Sequence, residues 1–427
     1  MNIPERAVLA RQRKPVKMRV WNIMSKNKEK KLKLLIVAMA ESVHTARWIS
    51  QIADEGWDIH LFSCDHSGEA HGMLRNITVY YSVYGKQRNR NKSVRFRGIR
   101  VFNGLIAKVA GRALRELFKK YRARQLKRLI KKLRPDMIHS LETQKNGYLT
   151  LEAKEMFKGR FPAWMHSNWG SDLYLFGRLK EHQPRIRKVL ENCDYFLCES
   201  GRDVELAKEN GFKGTVLPIT LHAGGFDLNY LSSIRQPGKT SERRLIMIKG
   251  YQGWSGRALV GLRALERCSD LLSGYSISLY TVHSEDVRIK AELIGNATGI
   301  KVSIIEKNTS DEEMLKLFGQ ARISIGLGIS DGVPNTLLEA MVMGSFPIQS
   351  WTSCAGEWII DGMTGILTPP EDPEVIEKAI RKALTDNELV DTASDLNIKM
   401  ARERLEDSVL KQKTIDIYRS VLRKRSN

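Results

Sequence analysis

Two carboxylates stand eight residues apart, one on each side of a glycine-broken turn and the start of a short helix. Asp331 precedes Pro334, and Glu339 lies about one turn inside the helix that follows this proline. Free N–H groups at a helix N-terminus favour a phosphate, whereas flanking carboxylates repel phosphate and accept hydrogen bonds from hydroxyl groups. These residue types at this spacing predict a ligand with a central anion and a polyol at each end. A nucleotide-sugar has that shape.

The elements around this acidic pair place it at the edge of a sheet. Alternating apolar residues predict a strand over Arg322–Leu327, and the helix after Pro334 has Asn335 or Thr336 as its predicted N-cap and ends at Gly344. Ligands of α/β sheets bind at the carboxyl ends of parallel strands. We therefore expect the ligand to contact Gly332, Val333, Pro334, Asn335, Thr336, Leu337 and Glu339.

The run D-G-V-P-N-T-L-L-E-A-M, residues 331–341, resembles the donor-site signature of family 4 (group 1) retaining glycosyltransferases of the GT-B fold. Asp331 stands where the family usually has Glu, and the later run A-G-E-W-I-I-D-G-M-T-G-I-L resembles the family's following segment. The resemblance implies an α/β protein with the GT-B architecture. In that architecture two Rossmann-like α/β/α domains face a shared cleft, and C-terminal helices cross back to the first domain.

The resemblance also implies a reaction and a role for each donor-side residue. A sugar would move from a UDP- or GDP-linked donor to an acceptor hydroxyl, with retention at the anomeric carbon. Glu339 would hold the ribose hydroxyls and Asp331 the sugar hydroxyls. Lys249 and Arg257 would stabilise the departing diphosphate, and Gly250, which opens the glycine-rich loop between them, is a further donor-binding candidate. The sequence has no D-x-D motif or clustered metal ligands where they would be needed, so we expect neither a metal nor any other cofactor.

A second group of candidates lies in the first half of the chain. The letters W-G-S-D-L resemble the H-G-S-D-L loop of the family, with Trp169 in place of the family His. His166 and Asn168 are candidates to take over its place in the cleft. Asp172 is a candidate catalytic carboxylate, and helix capping explains it equally well. His44, in the loop after the first strand, is a further cleft candidate with the same alternative.

Alternating strands and helices divide the chain into four predicted parts. A basic arm occupies residues 1–32, and a Rossmann-like acceptor domain occupies residues 33–222. A flexible linker follows, and a Rossmann-like donor domain then occupies residues 240–385, with C-terminal helices over residues 386–427. Five scattered cysteines have no disulfide or metal-site spacing, and no apolar run approaches the ~20 residues of a membrane span.

Positive charge is concentrated in two segments. The chain has a net charge of +22, of which residues 1–33 contribute +9 and residues 86–134 contribute +18, so that the remainder is slightly acidic. We predict one long helix over Asn103–Leu133, with its apolar stripe on the core and its bases on an anionic membrane. This predicts a cytoplasmic protein, peripheral on the inner face of the plasma membrane.

Three other functions remain open from the sequence. The first is another GT-B chemistry, such as a sugar phosphorylase or epimerase. The second is a nucleic-acid-binding protein, although aromatic residues are not interleaved with the bases of residues 103–134. The third is a non-catalytic GT-B scaffold. The expected partners are a nucleotide-sugar and a glycan or lipid-linked acceptor, with a role in cell-surface polysaccharide or lipopolysaccharide synthesis. The sequence specifies neither the sugar nor the nucleotide.

Overall fold

The computed structural model describes residues 31–87 and 91–426, and it contains two parallel sheets. The predicted basic arm over residues 1–32 lies outside the described residues except for its last two positions. Residues 88–90 of the basic segment also lie outside them. Within the described residues, no helix is both long enough and apolar enough to cross a membrane.

The first sheet has eight strands in the order β4-β3-β2-β1-β5-β6-β7-β8, all parallel. Its central strand β1 has the sequence K-L-L-I-V-A, and its apolar residues are fully buried, as expected for a strand covered on both faces. The strands are Lys33–Ala38 (β1), Asp58–Ser63 (β2), Ile77–Tyr84 (β3), Arg95–Arg100 (β4), Met137–Leu141 (β5), Ala163–Ser167 (β6), Tyr195–Leu197 (β7) and Thr215–Val216 (β8).

Helices connect these strands and cover both faces of the sheet. Parallel strands require such crossovers, because a tight turn cannot return the chain to the same edge. The helices are Val43–Ser50 (α1), Gly104–Leu117 (α2), Tyr121–Leu133 (α3), Tyr148–Glu155 (α4), Gly170–Tyr174 (α5), Gln183–Asn192 (α6) and Gly201–Glu209 (α7).

The second sheet has six parallel strands in the order β11-β10-β9-β12-β13-β14. Its strands are Leu245–Lys249 (β9), Ser276–Tyr280 (β10), Lys301–Ile304 (β11), Ala321–Gly326 (β12), Phe346–Ser350 (β13) and Ile366–Thr368 (β14). Its helices are Leu228–Ile234 (α8), Ala258–Arg267 (α9), Glu285–Thr298 (α10), Asp311–Gln320 (α11) and Asn335–Val342 (α12).

The chain ends in three helices, Pro373–Thr385 (α13), Asn387–Arg404 (α14) and Asp407–Ser426 (α15). Helix α15 returns to the first sheet, where Tyr418 is fully buried. Trp48 Nε1 donates a hydrogen bond to the Tyr418 hydroxyl at 2.9 Å, and that hydroxyl lies 2.7 Å from His139 Nδ1. The expected crossing of the C-terminal helices is therefore confirmed, as is the GT-B architecture of two parallel-sheet domains.

The single long helix predicted over residues 103–133 is wrong, because the structure has two helices there, α2 and α3. Helix α2 stops before Phe118, whose φ of −133° and ψ of 63° are not helical. At the start of α3, the buried guanidinium of Arg122 donates to the carbonyl oxygens of Ser63 at 2.9 Å and Tyr80 at 2.6 Å. These bonds fix the start of α3 against the sheet. The sequence analysis also missed edge strand β4 and helix α8, which lies within the expected flexible linker.

Candidate active site

The loop between β12 and α12, residues 327–334, is called the donor loop below. Hydrogen bonds donated by its main chain hold it against its neighbours. Ile329 N donates to Ser255 O at 2.8 Å, and Gly328 N donates to Ser350 Oγ at 3.2 Å. Helix α12 begins at Asn335 with Pro334 as its N-cap, so the prediction that Asn335 or Thr336 is the cap is wrong. A proline side chain cannot accept a hydrogen bond, so the first turn of α12 has no side-chain cap from this position. The N–H groups of Leu337 and Leu338 donate to Pro334 O at 3.0 and 3.3 Å, which leaves those of Asn335 and Thr336 to suit an anionic ligand.

Lys249 and Asp331 meet beside this helix end. Lys249 is the last residue of β9, which pairs with β12, and its Nζ lies 3.5 Å from Asp331 Oδ2. The Asp331 side chain is 45% exposed, so this carboxylate remains accessible from the cleft. Adjacent parallel strands thus bring a cation and a carboxylate to the same sheet edge.

Glu339 lines a cavity of about 600 Å³ that opens beside the first turn of α12. Burial raises the pKa of its carboxyl above the ordinary value, and the nearby cations Arg47 and Lys249 oppose this rise. Arg47 comes from α1 in the first half of the chain and reaches across the cleft to Asp311, with 3.5 Å between Nη2 and Oδ2. Both halves of the protein therefore contribute to this cavity.

His44 and Trp169 lie together on the opposite side of the cleft. Their ring centroids are 5.2 Å apart, with the ring planes tilted by 56°. Desolvation lowers the pKa of His44, the Arg47 cation lowers it further, and Asp331 acts in the opposite direction. His44 is thus close enough to Asp331 for its pKa to respond to that carboxylate, and its ring lies beside that of Trp169.

His166 and Asn168, in contrast, are turned into the protein. His166 is fully buried, with Nδ1 2.8 Å from Ser140 Oγ and Nε2 3.0 Å from Thr143 Oγ1, and burial lowers its pKa to about 3. Asn168 is 1% exposed and donates to Asp203 Oδ2 at 2.9 Å. We correct the expectation that either side chain occupies the place of the family His, because both are buried and their side-chain nitrogen atoms lie against interior partners.

Asp172 has the capping role that was the alternative to a catalytic one. Its Oδ2 accepts hydrogen bonds from the backbone N–H groups of Thr143 and Trp169, both at 2.8 Å. Burial, and next the neighbouring Glu142 carboxylate, raise the pKa of Asp172. The carboxylate thus organises the turn that carries Trp169, and it does not face the donor side.

Two donor-side candidates support the loop after β9 instead of facing the cavity. Arg257 Nε donates to Glu371 Oε1 at 2.8 Å, and its Nη1 donates to Gly256 O at 2.9 Å, so this guanidinium is already paired. At Gly250 a Cβ atom would lie 2.4 Å from Val282 Cγ2, so the glycine is required for close packing. We correct the expected diphosphate contact of Arg257 for this reason.

Val333 and Leu337 can reach a ligand only through the main chain, whereas Asn335 and Thr336 line the cavity. The side chains of Val333 and Leu337 are buried, at 6% and 0% exposure. Gly332 packs against Gly170 of the first half so closely that a Cβ on Gly170 would lie 1.7 Å from Gly332 N. This contact joins the W-G-S-D-L loop directly to the donor loop.

Arg202 is a cleft residue that the sequence analysis missed. Its Nη2 donates to Asp331 O at 2.9 Å and to Gly170 O at 3.2 Å, and its Nη1 donates to Thr352 O at 3.2 Å. The sequence signal that could have identified it is its position in the first turn of a helix, where a cation is unfavourable because it opposes the helix dipole. Arg202 occupies such a position in α7 and fastens the donor loop to the first half.

A second missed group lies at the carboxyl ends of β1, β2 and β5. Burial raises the pKa of Glu41 to about 7, a hydrogen bond with Asp65 adds to this rise, and Lys145 opposes it. Glu41 and Asp65 follow adjacent parallel strands, which is the signal that could have paired them. In residues 31–87 and 91–426 there is no cluster of three or more His, Cys, Asp or Glu side chains that could hold a metal ion.

Comparison with known proteins agrees with this geometry. Residues 33–200 match the family described as glycosyl transferase 4-like, and residues 287–400 match the family described as glycosyl transferases group 1. Together the two matches cover roughly two thirds of the chain. No curated protein is significantly similar to the chain in sequence.

Solved structures share the fold over nearly the whole chain. Sucrose-phosphate synthase from Thermosynechococcus elongatus superposes with a TM-score of 0.66 at 14% identity, covering 92% of this chain and 100% of that one. A glycosyltransferase from Rickettsia africae gives a TM-score of 0.63 at 15% identity, covering 92% and 99%. HepE from Anabaena, in complex with UDP-glucose, gives 0.63 at 12%, covering 91% and 100%. The chain belongs to the family 4 (group 1) glycosyltransferases and has their GT-B fold.

Proposed function

We propose that the protein moves a sugar from a UDP- or GDP-linked donor to an acceptor hydroxyl, with retention of the anomeric configuration. The observation that carries this proposal is that three charged side chains gather at the N-terminus of α12. Lys249 and Asp331 line a small pocket together with Pro334, and Glu339 lines the larger cavity together with Asn335 and Thr336. Anion-binding groups lie between two carboxylates, which is the order that a nucleotide-sugar requires.

In this proposal each group has one task. Glu339, deepest on α12, accepts hydrogen bonds from the ribose hydroxyls, and Asp331, at the mouth, accepts them from the sugar. Lys249 and the first-turn N–H groups of α12 stabilise the negative charge that grows on the departing diphosphate. We propose that this protein-supplied charge makes a metal unnecessary. The bound UDP-glucose in Anabaena HepE is consistent with a UDP-linked donor.

The acceptor side of the proposal rests on the first half of the chain. His44 and Trp169 face the donor loop, and the Glu41–Asp65 pair lies at the neighbouring strand ends. We propose a glycan or lipid-linked acceptor, used in cell-surface polysaccharide or lipopolysaccharide synthesis on the inner face of the plasma membrane. The charge of +18 over residues 86–134 supports contact with an anionic membrane.

A thermal-shift screen of UDP- and GDP-sugars tests the donor part of the proposal. Ligands that bind only the folded state raise the melting temperature, so one nucleotide-sugar should give a clear rise. The Glu339→Gln variant keeps the side-chain shape, and it should fold normally but show little or no rise. Equal rises in both proteins, or none with any nucleotide-sugar in the wild type, would contradict the site.

The reaction itself is tested with the donor that binds. We expect slow hydrolysis of that donor without added phosphate, and nuclear magnetic resonance of the first-formed sugar should show the configuration of the donor. An absolute requirement for phosphate would identify a phosphorylase, and conversion of the nucleotide-sugar to its epimer would identify an epimerase. Binding without any turnover would favour a scaffold.

A further inference from the structure

Helix α2 exposes its apolar face, contrary to the expectation that this stripe packs on the core. Leu105, Ile106 and Val109 are 68%, 56% and 63% exposed, and Leu117 at the end of the helix is 73% exposed. Phe102, immediately before the helix, is also fully exposed. Large apolar side chains that are contiguous and exposed mark an interaction site.

The helical positions divide α2 into three faces. At about 100° per residue, the exposed apolar side chains fall in one arc of roughly 120°. A second arc contains the small residues Ala107 and Gly111, which pack on the protein; a Cβ at Gly111 would lie 2.3 Å from Ser67 Oγ. The third arc contains the exposed bases Lys108, Arg112 and Arg115. The apolar arc thus faces away from the protein and borders a cationic arc.

Charge decides which occupant suits this surface. The N-terminal arm, with +9 over residues 1–33, and a second copy of the +18 segment would both be repelled. A nucleic acid would pair with the bases, but it has no place for a row of aliphatic side chains in the centre of the contact. An anionic lipid surface takes both, since aliphatic side chains enter the acyl boundary while bases contact the headgroups.

The position of α2 connects this surface to the acceptor side of the cleft. The segment that Gly111 contacts at Ser67 follows β2 and continues from Asp65, the partner of Glu41. At the next residue, a Cβ on Gly68 would lie 3.8 Å from Glu41 Oε2. Only a few residues therefore separate the buried side of α2 from the acidic pair at the strand ends.

We propose that α2 inserts its apolar face into an anionic bilayer and that the acceptor is an amphiphile that enters the cleft from that bilayer, past the Ser67–Gly68 turn. The second part rests on the proposed transferase function, whereas insertion itself does not. Insertion places the acidic pair Glu41–Asp65 next to the headgroup region. A hydrocarbon-anchored acceptor can then present a hydroxyl without leaving the membrane.

Flotation of the full-length protein with vesicles tests the insertion. Vesicles of phosphatidylcholine with about 30% phosphatidylglycerol are compared with pure phosphatidylcholine, each at low and high salt. One variant, L105S/I106S/V109S, keeps every charge, and a second, K108Q/R112Q/R115Q, keeps every apolar residue. A third, I289S/L293S, is the matched control, because it removes two side chains of α10 that are exposed to a similar degree, 52% and 55%.

We expect wild type and the control to float with anionic vesicles. The apolar variant should bind at least tenfold more weakly even at low salt, with an unchanged melting temperature because its residues are exposed. The charge variant should lose binding by up to about 100-fold, since each base contributes about a fivefold factor. Insertion would be overturned if the apolar variant bound anionic vesicles as tightly as the wild type at low salt. It would also be overturned if the wild type did not bind these vesicles, or if a nucleic acid competitor displaced it from them.

The acceptor part is tested by transfer to a lipid-anchored acceptor embedded in the same vesicles. The apolar variant should lose at least tenfold in this transfer but keep the donor hydrolysis rate of the wild type, because the donor cavity is lined by none of the residues of α2. Equal transfer by both proteins would overturn the proposed acceptor class. If the wild type does not bind any nucleotide-sugar donor, that result counts against the proposed function and leaves the flotation result unaffected.

Discussion

The donor cavity and the surface of α2 offer contacts to other molecules in opposite ways. Beside the N-terminus of α12, Lys249 and Asp331 lie in a small pocket, Glu339 lines the neighbouring donor cavity, and each of the three occupies one defined position. On α2, apolar and basic side chains are repeated along an exposed face with few contacts to the protein. A preorganised site depends on single residues, whereas a repeated surface divides its binding energy among many.

The largest effect should come from Glu339→Ala, which removes the carboxylate proposed to bind the ribose. A hydrogen bond to a charged group contributes about 1.5–3 kcal/mol, so kcat/KM for transfer should fall roughly 10- to 100-fold or more. The melting temperature should stay close to that of the wild type, because the carboxylate is partly exposed. Glu339→Gln removes the charge but keeps the size of the side chain, so it shows which of the two matters. Turnover at the wild-type rate in either variant would refute the idea that the donor site depends on this single residue.

Gly170→Ala should have the next largest effect, because it adds a Cβ where the W-G-S-D-L loop meets the donor loop. The clash with Gly332 must be relieved by a backbone shift, which costs roughly 1–3 kcal/mol of stability. It should also lower kcat/KM by displacing Asp331. Gly177→Ala is the control, since a Cβ there meets nothing within 4 Å. Equal melting curves and activities of the two variants would mean that the loop contact is dispensable.

The pH dependence of stability should report the buried carboxyl of Glu199, which lies beneath the donor loop with Oε2 3.5 Å from a Cβ placed on Gly332. Burial raises its pKa to about 8, against a hydrogen bond from His222 N that lowers it. Between the ordinary value and pH 8, the folded state keeps a proton that the unfolded chain has lost. This group therefore stabilises the protein fully at low pH, and its contribution falls as pH rises through this window, by about 1 kcal/mol per pH unit.

Denaturant titrations of wild type and Glu199→Gln from pH 5 to pH 8 test this dependence. The variant has no proton to lose, and its amide oxygen can still accept from His222 N, so its stability should fall less over the same range. Parallel curves for the two proteins would show that another group controls the slope.

The smallest effect is expected from removing one base from α2, as in Arg112→Gln. A single Lys or Arg near an anionic surface contributes about 1 kcal/mol, so vesicle affinity should fall only about fivefold and donor binding should not change. Arg115→Gln should give the same factor. A loss of more than 50-fold from either single substitution would mean that α2 contains a specific headgroup site, and the comparison with the donor cavity would no longer hold.

Much of the donor site could be predicted because its parts are close in sequence. Asp331, Pro334 and Glu339 belong to one strand–loop–helix unit, so local patterns specify their relative placement. Buried parallel strands such as β1 were equally clear from their continuous apolar runs. The large positive charge of residues 86–134 follows from composition alone and does not depend on folding.

Tertiary structure alone decided which candidates work together. Lys249 and Arg257 are equivalent in type and near in sequence, but Glu371, more than a hundred residues away, pairs with Arg257 and leaves Lys249 for the cleft. Arg202 and Glu199 reach the donor loop only because the two sheets are packed together. Their contacts join residues over a hundred positions apart, and no local pattern encodes such pairs.

Helices α2 and α3 show the same limit most directly. Both have apolar stripes and many bases, and their sequence pattern is that of one continuous helix. In the structure Leu126 and Ile130 of α3 are buried, whereas Leu105 and Val109 of α2 are exposed. Helical periodicity specifies that an apolar face exists, but what covers that face depends on where the helix lies in the fold, and here Arg122 sets that position by binding carbonyl groups of the sheet.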